Sequence, residues 1–218
     1  GTIPDDMGGI FAHLREAVTV EAVLRSPYIA DPIKLMDMCP RTDGACAVIF
    51  ANEDAAEKIA PKPAWVHAAT NRHLHSYLGD LEWYPLRSLE LAAQEAYRKL
   101  GVREPLKEFD VMELYTPYSF ANLSWIEALG LAAPGEGARL IWDGVTDMGG
   151  ELPINPSGGV LATNPIGATG LIRAGECALQ VMGRAGARQV PGARRALSTG
   201  FGGCLWSDLL IYGSDKPG

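Results

Sequence analysis

Asn155-Pro156-Ser157-Gly158-Gly159-Val160-Leu161-Ala162-Thr163-Asn164-Pro165-Ile166-Gly167-Ala168-Thr169-Gly170 is the stretch that decides how the chain folds. Two clusters of small residues, Ser-Gly-Gly and Gly-Ala-Thr-Gly, flank a short apolar piece and an Asn-Pro step. Residues without bulk let backbone come close to a ligand or to another backbone. A helix is expected next, because Leu171, Ala174, Ala178 and Met182 recur at helical spacing. The small residues from Ala168 to Gly170 let its start lie tight against a sheet. A glycine-rich turn opening a helix has the outline of a phosphate cradle, yet neither the P-loop string nor G-x-G-x-x-G is present. On pattern alone the segment is either a loop that approaches a ligand or a tight structural crossover.

Outward from it, the chain alternates strand and helix signals. Thr19 to Leu24 reads as a short helix capped by Thr19, and Ser26 to Pro32, with a proline near each end, as extended or turning. Ala45 to Ala51 is an apolar run behind the turn Thr42-Asp43-Gly44 and reads as a strand. Glu53 to Ile59 reads as a polar helix, and Ala60-Pro61-Lys62-Pro63 as a linker. A second unit then starts with a strand at Trp65 to Ala69. Its amphipathic helix, Ser88 to Leu100, has Leu89, Ala92, Ala93, Ala96 and Leu100 on one side and Gly101 as a stop. A strand at Phe109 to Tyr115, a helix at Ser119 to Leu131 and a glycine turn at Gly135-Glu136-Gly137 follow, then a long loop through Asn155. Strands at Ala193 to Leu197 and Leu205 to Tyr212 close the chain around Gly200-Phe201-Gly202-Gly203. This order predicts an α/β layered unit, with a boundary between 1–59 and 60–218.

Composition narrows the function classes. The 218 residues are 47% hydrophobic and 21% charged, a globular balance, and 25 Gly with 15 Pro predict many turns. A net charge of −7 disfavours nonspecific nucleic-acid binding, so no nucleic-acid partner is expected. Cys39, Cys46, Cys177 and Cys204 include no C-x-x-C pair, which signals neither a zinc knuckle nor a disulfide framework and fits a reducing cytoplasm. No apolar run approaches the ~18 residues of a membrane span, and no charged-then-apolar leader opens the chain. It opens on Gly rather than Met, which reads as a processed, tagged or partial sequence.

The opening stretch resembles the thiolase superfamily segment written N-x-S-G-G-x-x-x-x-G-H-P-x-G-A-T-G, in its sterol-carrier and lipid-transfer branch. Thr19-Val20-Glu21-Ala22-Val23-Leu24, Ile29-Ala30-Asp31-Pro32-Ile33 and Thr42-Asp43-Gly44-Ala45-Cys46-Ala47-Val48 are similar to further passages of that family. The resemblance implies a thiolase-like αβαβα layered fold. Residues 1–59 would be the end of the N-terminal half and 60–218 the C-terminal domain. It also implies a coenzyme A thioester as substrate, with no covalently bound cofactor and no metal. Implied partners are a chain or segment carrying the N-terminal half, a thiolase-like dimer mate and a small zinc-ribbon/OB-fold protein.

Residue roles follow from the same resemblance. Tyr115, in Tyr115-Thr116-Pro117-Tyr118, takes the place of the family's Asn or His that helps hold the thioester oxygen. A phenol donates one hydrogen bond and can act as a general acid; the competing reading is a strand-end aromatic over the core. Asn164 replaces the family's catalytic histidine. A carboxamide still donates but takes no proton near neutral pH, and Asn164 is equally a turn residue before Pro165. Cys204 lies just past the glycines that resemble the family's C-x-G-G loop, and is either an acid/base thiol or a buried small residue. Ser157, Gly158, Gly159, Tyr118, Phe201, Gly202 and Gly203 are the expected substrate-binding positions.

Other features carry less. His73-Leu74-His75 would share a strand face near His67, but no third metal ligand is evident. Ser157 lacks a G-x-S-x-G elbow. Trp142, Asp143 and Asp147 are placed to shape an entrance. The family's nucleophilic cysteine, in a C-S-S or C-A-S setting, is absent, and Cys39 and Cys46 read as structural. The expected chemistry is therefore the making or breaking of a carbon–carbon bond beside a CoA thioester, by thiolysis, retro-aldol cleavage or Claisen condensation, with the attacking sulfur supplied from elsewhere. The alternative is a catalytically silent thiolase-like subunit that structures a complex or binds acyl-CoA.

Overall fold

Local rules account for the first helices. In the computed structural model, which describes residues 13–14, 18–74, 84–202 and 206–217, α1 (Val20–Arg25) starts where Thr19 accepts a hydrogen bond from the Ala22 amide at 3.1 Å. Asn52 caps α2 (Glu53–Ile59) in the same way through the Ala55 amide at 3.0 Å. Between them lie a small antiparallel pair, β1 (Tyr28–Ala30) with β2 (Ile33–Lys34), and a single 3-10 turn at Leu35–Asp37. No residue of α1 or α2 is buried.

The strand expected at Ala45 to Ala51 does not form. The run is irregular and unpaired, with Ile49 85% and Phe50 69% exposed. A strand exists only through hydrogen bonds to a neighbour, and apolar patterning cannot supply one. No described segment lies in register beside these residues.

A mixed four-stranded sheet carries the remainder. Its strands are β3 (Trp65–His73), β4 (Val111–Glu113), β5 (Arg195–Gly202) and β6 (Trp206–Gly213), in the order β3-β6-β5-β4, with only β4 and β5 parallel. β5 runs further than expected, because Gly200, Phe201 and Gly202 pair with Asp208, Ser207 and Trp206 instead of turning. β4 is shorter than expected, pairing only over Val111 to Glu113.

The helices α3 (Arg87–Leu100), α4 (Pro105–Glu108), α5 (Ala121–Ala128), α6 (Gly137–Trp142), α7 (Gly159–Ala162) and α8 (Thr169–Met182) complete the chain. α6 occupies part of the segment expected to be loop. α3 buries Leu89, Ala92, Ala93 and Ala96 as its periodicity predicts, and stops at Gly101, whose φ of 69° suits a residue without a side chain.

Strand alternation sorts the core into two layers. Met112, Leu114, Leu197, Leu209 and Ile211 pack with α3 and α5. Val111, Ala196 and Tyr212 pack on the opposite face with Cys177 and Val181 of α8. Glu113 shares the face of Val111, so it too is directed at α8.

α8 does not bury the stripe that its hydrophobic periodicity marks. Leu171 is exposed and Ala174, Ala178 and Met182 are only partly covered, whereas Ile172, Arg173, Glu176, Cys177, Gln180 and Val181 are buried. Three polar side chains therefore sit on the sheet side. Each has partners there: Arg188 pairs with Glu176 at 2.8 and 3.1 Å, and Gln180 donates to the Arg188 carbonyl at 2.8 Å. Buried charges and amides are tolerated where they are satisfied, and such a face is invisible to a hydrophobicity pattern.

Buried acids on this scaffold make the fold labile to alkali. Burial pushes the Tyr97 and Tyr212 phenols, and the Cys177 thiol, well above their ordinary values. Above about pH 10 the unfolded chain sheds these phenol protons while the folded chain keeps them, so stability falls by about 1.4 kcal/mol per pH unit per phenol. Urea midpoints measured at pH 8, 10 and 11 should drop across the last interval. Tyr212→Phe should flatten that drop; an unchanged drop would remove the assignment.

Candidate active site

The end of β4 is held by side chains rather than by a sheet neighbour. The Leu114 amide donates to Asn155 Oδ1 at 2.6 Å, and the Tyr115 amide to Thr199 Oγ1 on β5 at 2.8 Å. Asn155 adopts a left-handed backbone, φ 56°, which a carboxamide residue tolerates better than most. A side chain at Gly159 would meet Asn155 Nδ2 at 2.7 Å, so glycine is required there for contact as well as for its φ of 63°. The Ser-Gly-Gly turn is thus locked to the strand that delivers Tyr115.

Beneath the turn lies a buried ion pair. Arg173 Nη1 is 2.6 Å from Glu113 Oε2 and 2.6 Å from Ser157 Oγ, with both charged side chains fully buried. The Ser157 amide and hydroxyl donate to Glu113 at 3.0 and 2.8 Å. Desolvation raises the Glu113 carboxyl, and the Arg173 charge opposes that rise. Arg173 Nε and Nη2 have no hydrogen-bond partner among the described residues. The Ser157 hydroxyl is committed to this network and also accepts from the Gly159 amide at 3.2 Å, while the Gly158 amide donates to the Asn155 carbonyl at 2.9 Å.

Above the ion pair, four polar groups converge. Tyr115 Oη donates to Asn164 Oδ1 at 3.4 Å, and Thr169 Oγ1 donates to the same oxygen at 2.8 Å. Asn164 Nδ2 donates to Cys39 Sγ at 3.0 Å, and its second hydrogen has no partner among the described residues. Asn164 is 4% exposed and Tyr115 half-buried. Burial raises the Tyr115 phenol and the Cys39 thiol, so both are protonated at neutral pH. The group offers hydrogen-bond donors to a developing oxyanion and two protons to give.

Cys39 is the residue that sequence reasoning missed. Its own amide donates to the Pro117 carbonyl at 2.9 Å, Met38 bridges to Tyr118, and Ser119 donates to Asp37 from both amide and hydroxyl, at 2.8 and 2.7 Å. These bonds strap residues 37–39 onto the loop after β4. The Thr42 amide and hydroxyl meet residues 163 and 164 and hold the next residues in place. Nothing in Met38-Cys39-Pro40 marks the thiol for this contact, because the pairing spans 125 residues. His13 was also unmarked; its Nδ1 lies 2.7 Å from Thr163 Oγ1, and its amide donates to the Ala162 carbonyl.

The other expected positions fall around this group or outside it. Phe201 packs between Tyr115, with centroids 6.1 Å apart, and Trp125, 5.0 Å apart. Tyr118 stacks on Phe120 at 5.3 Å. Gly202 pairs with Trp206 in the sheet. Gly203, Cys204 and His75 lie outside the described residues. His67 Nε2 contacts the Asp215 carbonyl at 2.7 Å, at the other end of the sheet. There a cavity of about 520 Å³, lined by Lys99, Arg194, Arg195 and Asp215 among others, opens away from Tyr115. Among the described residues no group of three His, Cys, Asp or Glu side chains is arranged for a metal ion, and no helix is long and apolar enough to cross a membrane.

Comparison with known proteins follows this geometry. An acetyl-CoA acetyltransferase of Methanothermobacter thermautotrophicus is 36% identical over 85% of the chain and 49% of its own length. Sterol carrier protein 2 of Bos taurus is 33% identical over 93% of the chain and 39% of its own length. The benzoylsuccinyl-CoA thiolase subunit BbsB of Thauera aromatica is 28% identical over 89% and 51%. The solved Ltp2-ChsH2(DUF35) aldolase superposes with a TM-score of 0.75 at 25% identity, over 91% of this chain and 52% of that one. The chain thus spans about half the length, or less, of the relatives it matches. The fold is thiolase-like. Residues 70–213 match the family model described as thiolase C-terminal domain-like, and the chain belongs to that family.

Proposed function

We propose that this chain forms part of an enzyme that makes or breaks a carbon–carbon bond beside a CoA thioester carbonyl. The observation that carries the reading is the convergence of Tyr115, Thr169 and Cys39 on the Asn164 carboxamide. The phenol and the second Nδ2 hydrogen of Asn164 are donors for the oxygen of a thioester enolate, the intermediate common to thiolysis, Claisen condensation and retro-aldol cleavage. Cys39, neutral through burial, is a proton source for the enolate carbon. The backbone of Gly158 and Gly159, with Tyr118, Phe201, Gly202 and Gly203, flanks the acyl-pantetheine arm. Cys204 is a second thiol for proton transfer.

Asn164 cannot take a proton from an attacking thiol, so plain thiolysis needs a base from elsewhere. Retro-aldol cleavage needs no attacking thiol, only a base from elsewhere for the β-hydroxyl proton while Cys39 protonates the enolate carbon, and an aldolase stands among the structural relatives. The same absence favours a second reading, a silent subunit that binds acyl-CoA or organises a complex.

A covering polypeptide is part of the proposal. The half-exposed stripe of α8, Leu171, Ala174, Ala178 and Met182, and the exposed Ile49 and Phe50 offer apolar surface to a segment or chain that brings the N-terminal half and its nucleophile. We further propose 1–59 as the end of that half and 60–218 as the C-terminal domain, a dimeric assembly, a cytoplasmic location, and a small zinc-ribbon/OB-fold partner. The test is to purify the protein with what accompanies it and to offer a β-hydroxyacyl-CoA, and separately a β-ketoacyl-CoA with free CoA. A shorter acyl-CoA detected by mass spectrometry is expected from an assembly larger than one chain. Intact substrate in both reactions, or a stable and well-behaved monomer, would count against the proposal.

A further inference from the structure

Arg173 is the largest fully buried side chain of the described protein. Its pairing with Glu113 uses Nη1 alone, and Nε and Nη2 have no partner among the described residues. Buried guanidinium donors without partners are costly, and a charge placed so acts strongly on its surroundings.

Two geometric relations place those surroundings. Thr169 and Arg173 are four residues apart on α8, one above the other on the sheet-facing side, separated by about 6 Å along the axis. Glu113 and Tyr115 are two residues apart at the end of β4, about 7 Å along the chain, and both meet α8. Glu113 meets Arg173, while Tyr115 and Thr169 share the oxygen of Asn164. Strand and helix therefore run antiparallel as a two-rung ladder, with the ion pair as the lower rung and the phenol with the Thr169 hydroxyl as the upper.

We propose that Arg173 is a positioning residue for Tyr115: through Glu113 and Ser157 it fixes the strand end and the Ser-Gly-Gly turn, and it sets a positive charge one rung below the phenol. The inference deepens the proposed reaction and rests on Tyr115 being its polarising group. The groups facing the phenol are Cys39 from the strap, Asn164, Thr169 and Arg173 from the loop and α8, Phe201 from β5, and Glu113 on its own strand. Among them Arg173 alone carries a positive charge. Burial raises the phenol first of all, and Arg173 works against that rise.

The test reads the phenol itself and needs no substrate. Tyr115 is replaced, in the full assembly, by a fluorinated tyrosine that ionises near neutral pH, and its 19F shift is followed against pH. Glu113→Gln removes the countercharge and should lower the midpoint. Adding Arg173→Gln to that variant should raise it by about one pH unit, the effect of removing a nearby opposite charge. A loosened structure would move both variants in one direction, whereas a charge effect moves them in opposite directions. Should Glu113→Gln alone not fold, Arg173→Gln is compared with the unmodified protein, and a higher midpoint is expected. Equal midpoints, or a lower one on removing Arg173, would overturn the proposal. Turnover of Tyr115→Phe is read separately: if it is unchanged while the midpoints shift as stated, the coupling stands and the proposed reaction fails.

Discussion

Tyr115→Phe in the assembled protein is expected to reduce turnover of an acyl-CoA substrate by about 10²–10³-fold, the range for losing one oxyanion donor. The substitution removes one oxygen and keeps the ring that packs against Phe201. The hydroxyl's partner among the described residues, Asn164 Oδ1, is 3.4 Å away and also accepts from Thr169 at 2.8 Å, so that oxygen stays satisfied. Stability should therefore change by less than about 1 kcal/mol. The fall should appear in kcat more than in KM, because the hydrogen bond strengthens as charge develops on the substrate oxygen. Unaltered kcat would favour the silent-subunit reading over the enzyme.

The second large effect concerns the ion pair under the turn. Arg173→Met keeps the length of the side chain but leaves Glu113 buried without its cation. Breaking such a pair from one side costs about 3–5 kcal/mol. Two bonds from Ser157 remain on the carboxylate and soften the loss without removing it. In the double variant Arg173→Met with Glu113→Gln no charge is stranded, and the Gln oxygen can still accept from the Ser157 amide. Most of the lost stability should return. Urea unfolding of both single variants, the double variant and the parent gives the coupling energy directly. A loss below about 1 kcal/mol for Arg173→Met would mean that water reaches Glu113 and that the pair is not sealed.

Those two residues show what could and could not be seen in the sequence. The helix cap at Thr19, the α3 stripe and the Gly101 stop are local signals, and each predicts what forms. The glycine-rich stretch, the strand that delivers Tyr115 and the α/β class were legible in local pattern, and motif resemblance added the family. Contacts between distant segments were not. The strand expected at Ala45 to Ala51 needed a pairing neighbour, and Cys39 met Asn164 only because residues 37–42 are strapped across two loops. α8 misled for a different reason. Its sheet side is built from Arg173, Glu176 and Gln180, each bonded to a residue outside the helix, so the apolar periodicity pointed to the opposite side.

Asn155 has a consequence for how such a pocket can diverge. One carboxamide orders the end of β4 through the Leu114 amide and leaves no room for a side chain at Gly159, so the two loops share a single joint. Drift at either position would displace both loops together. Variation that spares the joint has to enter at solvent-facing sites such as Ile166, which is 72% exposed.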